Sequence, residues 1–478
     1  MNIARDILSA THSQYQKRKE NWDFFLQSYE GGSNYFTEEN IFTHTREHAD
    51  DYNWRLKRVH YQNYCESIIS VYTGHLFKKP IVRQTEDEEF VAFFENVDRQ
   101  NSNINDFFKN VADLMQAHGH VYVLVDKPRT NGEIQTKADE MANNVTPYYT
   151  IVYPQNCINW ELDTDGNFEW VRLQEIIQRQ SDPFKKPETV TFYRTFTRDK
   201  WWVHDKDGKE IDAGVHMLGE VPLIPIYNKR LKRYPLFGWS AIEDIAYINR
   251  ALANITSLLD EFIYRQCFEI LIWPSEGIST TEESEGEMQL STKNIMAVRG
   301  DVGFAPFYLS PSTAGAQFLM EYARELRAII YMLAKVEAPA FEPVAASGVS
   351  KQWSFHETNQ SLADKADNLE NAERTCHRLR AKWMDKEWDG IIDYPEDFDI
   401  RRINEELEEA LNVQIYGFPP SFTSEYSKQL YRKLLPKLGK DIMAKIDTDI
   451  EKGVKSMNNV TEAEEETVKK ITERLRGL

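Results

Sequence analysis

Three features predict an α+β fold. Apolar residues recur with helical period toward both ends of the chain. A block of β-rich runs lies between residues 120 and 230. Two long amphipathic helices enclose a short β-containing piece. At 478 residues the chain is longer than one simple core usually serves, so two or more packed units are expected. Its 41% apolar and 28% charged residues describe a folded chain.

The elements follow in order. Residues 3–30 read as helix, with Trp22, Phe25, Leu26 and Tyr29 at helical spacing and Gly31-Gly32 as the stop. Residues 47–77 form a second helical block with Tyr52, Leu56, Val59, Tyr64, Ile68 and Val71 on its face, and residues 104–118 a third. The period then changes. His120–Val125, Tyr148–Tyr153, Phe168–Ile177, Thr189–Val203 and Val221–Tyr227 read as strands, with Asp165-Gly166 and Asp207-Gly208 as hairpin dipeptides.

From Gly238 the chain is helical again. Ile245, Ile248, Leu252, Ile255, Leu259 and Phe262 follow spacings of 3, 4, 3, 4 and 3, an a/d seam. The other side carries Tyr247, Ala251, Leu258 and Tyr264, so this helix is apolar on more than one side and must be covered on more than one side. Neighbouring copies would cover it; so would an internal core. Residues 268–310 hold two short β runs, Phe268–Trp273 and Ile295–Val298, around an acidic stretch. Ser310-Pro311 then opens a helix to about Lys335, with Leu319, Tyr322, Leu326, Ile329 and Leu333 on its face. Pro339, Pro343 and Gly348 mark a loop. Ser354 and Glu357 offer a capping box for a helix running to about Asp389, roughly 50 Å long at 1.5 Å per residue. The stretch 404–478 reads as helical and highly charged.

The net charge is −19, from 57 basic and 76 acidic residues. Tight general binding of nucleic acid needs the opposite balance, because it proceeds by phosphate neutralisation and counterion release. An acidic wall can still let DNA pass without holding it. Cys65, Cys157, Cys267 and Cys376 are widely spaced with no CxxC pair, which fits a reducing compartment. No signal-type core and no run of 18 apolar residues occur, so no membrane contact is expected.

Candidate chemistry is sparse. His44-Thr45-Arg46-Glu47-His48 matches H-x-x-E-H; on a helix His44 and His48 would share one face and could hold Zn²⁺, with Glu47 as base of a metal-dependent hydrolase. A solvated helix start is the plainer reading. Asp163-Thr164-Asp165-Gly166-Asn167 has calcium-loop composition, but its glycine is fourth where an EF-hand needs it sixth, so a hairpin turn is expected. No phosphate loop, G-x-S-x-G elbow or G-x-G-x-x-G occurs. No catalytic residue, metal or cofactor is expected. Lys229-Arg230-Leu231-Lys232-Arg233 is the one dense basic cluster. Its Lys229, Arg230, Lys232 and Arg233 are candidate phosphate or partner contacts, against a solvated loop.

The order of these parts resembles the tailed-bacteriophage portal (head-to-tail connector) family. Trp22 to Tyr35 resembles its early helix-then-glycine segment. Tyr52-x-x-Arg55-Leu56, Asn63 and Gly74-x-x-Phe77-x-x-Pro80 resemble its next helix. Gly119 with Val123-Leu124-Val125-Asp126-x-Pro128 is similar to its first strand, and Pro147-Tyr148 leading to Ile158-x-Trp160 to the strand and turn that follow. Gly238–Pro274 is similar to its channel-lining helix and tip, and Ser347-Gly348 before Trp353-x-Phe355 to the start of its long wing helix.

The resemblance implies a portal fold. Residues 1–238 would be an α/β wing, and 239–267 and 311–335 a two-helix stem packed through Ile245, Ile248, Leu252, Ile255, Leu259 and Phe262. Residues 268–310 would be the clip, 336–352 a tunnel loop, 353–403 the long wing helix and its return, and 404–478 a helical crown. It also implies a ring of twelve copies at one capsid vertex of a virion assembled in the host cytoplasm. Double-stranded DNA would pass through the ring in packaging and ejection. Val344, Ala345, Ala346, Ser347, Gly348, Val349, Ser350 and Lys351 would face that DNA. The implied partners are the terminase large subunit, a head-completion or adaptor protein, the major capsid protein and the scaffold. Another virion structural protein, such as an adaptor, is an alternative, although adaptors are usually shorter chains.

Overall fold

A computed structural model describes residues 3–128, 145–180, 182–266, 270–274, 295–298, 305–309, 314–335 and 348–395, and beyond these 398, 419, 422–428, 442–443, 445–450 and 452. The chain divides into two units, Met1–Glu396 and Asp397–Leu478. It is a mixed helical and β structure.

The first expected helix is two helices. α1 is Arg5–Leu8 and α2 is Ser13–Glu30. The break falls where His12 adopts an extended backbone and its Nδ1 accepts from Gln14 N, capping α2. Gly31, with φ +63°, ends α2. The second block also splits, into α3 (Ala49–Arg58) and α4 (Tyr64–Leu76). Asn63 makes the second start: its Oδ1 accepts from Glu66 N, while its amide donates to Tyr29 O at 2.7 Å. After strand β1 (Val82–Gln84) and helix α5 (Glu88–Phe93), α6 spans Ile104–His118, as its pattern predicts.

The β block forms two sheets. β2 (His120–Asp126) is the middle strand of one, antiparallel to β3 (Tyr148–Val152) on one side and to β9 (Leu223–Tyr227) on the other. The second is a five-stranded meander of β4 (Cys157–Leu162), β5 (Phe168–Arg179), β6 (Glu188–Thr197), β7 (Lys200–Asp205) and β8 (Glu210–Val215). Both hairpin dipeptides turn as read. Gly166 and Gly208 have φ +84° and +86°, where a Cβ is strained, and Asp163 and Asp205 accept the backbone N–H groups of their turns. Tyr122 and Leu124 of β2 join Trp160, Val171, Leu173 and Phe196 of the meander in one core. Val121, Val123 and Val125 alternate to the other face of β2 and are buried too. α6 packs against β2.

A long hairpin follows. α7 is Glu243–Gln266, and α8 is Ala314–Ala334. The helix expected from residue 239 begins at Glu243 because Ser240 is bound elsewhere: its Oγ donates to Ala117 O and accepts from Ile242 N. Between α7 and α8 lie three short strands, β10 (Ile270–Pro274), β11 (Ile295–Val298) and β12 (Phe307–Leu309). β10 is central, parallel to β11 and antiparallel to β12; the third strand was not in the sequence pattern. The expected opening at Ser310-Pro311 lies outside the described residues.

Helix α9 runs Gly348–Trp383, and it too packs against β2 and β9. It starts before the proposed cap at Ser354, so Gly348, Val349, Ser350 and Lys351 belong to a helix and not to a loop. No proline or glycine lies between Val349 and Trp383, so nothing stops the helix from reaching back to Gly348. It ends before Asp389 in a Schellman arrangement: Lys386 N donates to Ala381 O, Asp385 N donates to Lys382 O, and Asp385 sits at φ +53°. β13 (Ile391–Asp393) then pairs antiparallel with β1. In the second unit, residues 422–428 and 445–450 are helical; most of the expected 404–478 segment lies outside the described residues.

Candidate functional site

The α7–α8 hairpin is where the sequence pattern and the packing meet most directly. The helices run antiparallel: a Cβ on Gly315 near the start of α8 would lie 3.1 Å from Phe262 near the end of α7. The a/d seam is turned inward. Ile245 and Leu252 are fully buried in a core with Leu326, Ile330 and Ala334 of α8 and Ile68 and Ile69 of α4, and Ile248 and Ile255 pack against it. Leu259 and Phe262 are half-buried. A seam facing a neighbouring copy was one of two readings, and for Ile245 and Leu252 the chain's own helices do the covering.

The remaining apolar flanks stay open. On α7, Tyr247 and Leu258 are exposed, with Ala251 half-buried between them. On α8, Phe318 and Met332 are each 68% exposed, and Tyr322 and Leu333 are also exposed. Phe318, Tyr322, Ile329 and Leu333 follow spacings of 4, 7 and 4, one stripe of the helix. Folded monomers rarely leave such contiguous apolar surface in water.

The other candidates take simpler places. His44 and His48 do not share a helical face, because α3 begins only at Ala49 and both histidines use Nδ1 to accept backbone N–H groups, from Arg46 and Asp50. Glu47 is held by Arg55, whose Nε and Nη2 donate to its two carboxylate oxygens at 2.8 and 2.7 Å. Among the described residues no group of three or more side chains could hold a metal ion. Lys229, Arg230, Lys232 and Arg233 are all exposed. Arg230 donates through Nε to Pro235 O and lies over the Tyr227 ring, and Arg233 lies over Tyr234. Val344, Ala345, Ala346 and Ser347 lie outside the described residues.

No family model matches the chain, and no curated protein matches it. Three solved structures of gene transfer agent (GTA) particles contain similar chains. One is from the neck of the native particle computed with C12 symmetry, with TM-score 0.39 and 12% identity over 77% of this chain and 89% of that one. A second is from the neck of the empty particle computed with C6 symmetry, with TM-score 0.39 and 10% identity over 74% and 86%. A third is from the virion of the native particle, with TM-score 0.38 and 10% identity over 74% and 86%.

Two polar features carried no sequence signal. The first is a buried network on α9. Glu373 accepts from Arg83, from the Tyr394 hydroxyl at 2.6 Å and from His377, whose Nδ1 meets the Tyr149 hydroxyl at 2.7 Å. Burial would raise the Glu373 pKa, but the hydrogen bonds from His377 and Arg83 outweigh it and hold the carboxyl down at about 2. The second is a cleft of about 870 Å³ whose lining includes Lys229, Arg230, Trp239, Asp364 and Lys365. Lys365 is buried there, donates to Asn228 Oδ1 and faces the Tyr72 ring, and burial draws its pKa down to about 8. Both features join residues more than a hundred positions apart, so no local spacing could announce them. The described cysteines, Cys65, Cys157 and Cys376, are buried free thiols; Cys267 lies outside the described residues. No helix among the described residues is long and apolar enough to cross a membrane.

Proposed function

We propose that this chain is a phage portal subunit, forming a ring at one capsid vertex through which double-stranded DNA is packaged and ejected. The observation that carries this reading is the α7–β10–β12–α8 unit. It is a helical hairpin with a small β tip whose outer flank, Tyr247, Leu258, Phe318, Tyr322, Met332 and Leu333, is exposed among the described residues. Two helices per copy with open apolar flanks suit a barrel of repeated copies. The motif order in the sequence supports the same reading, with twelve copies as the expected number.

In this reading residues 1–238 are the wing, α7 and α8 the stem, β10–β12 the clip that docks the terminase large subunit and head-completion proteins, and Val344–Lys351 the DNA-facing segment. The net charge of −19 supports a conduit that lets DNA slide, because a ring of such chains repels phosphates. The chain is then a structural protein and not an enzyme. The hydrolase alternative is weakened by Glu47, the residue it needs as base, being engaged by Arg55.

Mass photometry and negative-stain imaging of the purified chain test the proposal. Closed rings are the expected result. Monomers alone, at every salt and protein concentration, would overturn it.

A further inference from the structure

The exposed flanks of the hairpin differ in charge. On α8, Glu321 and Glu325 are one helical turn apart and exposed, beside Phe318, Tyr322 and Met332. Neither carboxylate has a cation partner among the described residues. On α7 the arrangement is reversed. The Arg250 guanidinium lies over three rings, 4.5 Å from Phe24 and 5.3 Å from both Phe42 and Tyr247. Its hydrogen bond goes to a backbone carbonyl, that of Glu39, and no carboxylate pairs with it among the described residues. Phe42 and Tyr247 remain exposed around it, so this flank is an aromatic pad with one unpaired cation.

We infer that the α8 flank of one copy docks on the α7 pad of the next, with Glu321 and Glu325 closing on Arg250. The inference rests on the ring reading and names the contact that builds the ring. Two apolar surfaces, one bearing two unpaired carboxylates and the other one unpaired guanidinium, are complementary to each other. A two-fold pairing of α8 on α8 would set carboxylates against carboxylates. The complementary pairing uses a different surface on each side of every contact, and such head-to-tail interfaces generate closed rings where the rotation closes. Aromatic rings and an arginine at the centre of a contact are also the residue types that carry most binding energy. Phe318 and Met332 would bring the apolar area, and the ion pair would fix the register.

Charge reversal in the full-length chain tests this, read as the protein concentration at half assembly in a dilution series. The double variant Glu321→Arg/Glu325→Arg is expected to raise that concentration about tenfold or more, and Arg250→Glu likewise, while the three changes together restore assembly to within about threefold of the unaltered chain. Because Arg250→Glu could disturb the ring stack, a neutral cycle of Arg250→Gln with Glu321→Gln/Glu325→Gln runs beside it. Each side should weaken assembly, and the combination should be no weaker than either alone. Reversals that leave half assembly unchanged while the unaltered chain still forms rings overturn the contact and spare the ring reading. Weakening without rescue, in variants that melt like the unaltered chain, also overturns it. An unaltered chain that never forms rings is the failure of the ring reading instead.

Discussion

Arg83 and Glu373 stand 290 positions apart and meet as a buried bidentate ion pair, with Arg83 Nη2 2.9 Å from Glu373 Oε2 and Nε on Oε1. The pair fastens β1 to α9 and, through the Tyr394 hydroxyl, to the residue just after β13. Removing one member leaves the other charged and buried. Arg83→Met or Glu373→Gln is expected to destabilise the chain by about 3–5 kcal/mol, and the combination Arg83→Met/Glu373→Leu to recover much of that loss. Denaturant midpoints of the three variants check it.

Acid should loosen the corner between α6 and β2. Burial draws His118 down to about 4 and His120 to about 3, from 6.5. Below pH 6.5 the unfolded chain takes up protons that the folded chain refuses. The stability contributed by both imidazoles is therefore complete above pH 6.5 and falls away as the pH drops through about 4 and then about 3. At ~1.36 kcal/mol per pKa unit the total is several kcal/mol. Midpoints measured from pH 7 to 4 should fall, and His120→Phe, which fits among Trp22, Tyr122 and Phe237, should flatten the fall.

Gly119→Ala and Gly238→Ala should each prevent normal folding. Gly119 has φ +90°, and a Cβ there would lie 2.4 Å from Gly238 O; a Cβ on Gly238 would lie 1.8 Å from Gly119 O. Backbone stands on both sides of this approach, so no side chain can yield. A loss of at least about 2–3 kcal/mol, or insoluble protein, is expected, read from soluble yield and thermal melts.

Leu252 and Leu258 lie six positions apart on α7 and should separate folding from assembly. Leu252 is buried inside the chain, so Leu252→Ala should cost about 2–5 kcal/mol of monomer stability, and Leu252→Asp more. Leu258 is exposed, so Leu258→Asp should leave the melt of the monomer within about 0.5 kcal/mol while weakening the ring. Melts paired with mass photometry distinguish the two effects.

Much of the architecture was legible. α6, the strands β2, β3, β5 and β9, the two hairpin turns and the α7–α8 pair follow from period and turn chemistry, because burial of one face imposes period on the residues that make it; β4 and β8 are not among the predicted runs, and the single run expected at Thr189–Val203 is two strands, β6 and β7. Short pieces were not legible. β1 and β13 have three residues each, too few for an alternation, and form only because α9 brings them together. The splits at His12 and Asn63 come from side-chain caps whose competition with helix continuation depends on Trp160 and Tyr29, partners far along the chain or on another helix.

The candidate site divides in the same way. Sequence alone determined that α7 is apolar on more than one side, since helical geometry places residues three and four apart together. Only tertiary structure decided which apolar side of α7 the chain covers for itself, that Glu47 is engaged by Arg55, and that Arg250 rests on rings from three separate segments. The reason is physical: period specifies which residues lie on one side of an element, and only packing specifies what stands opposite that side.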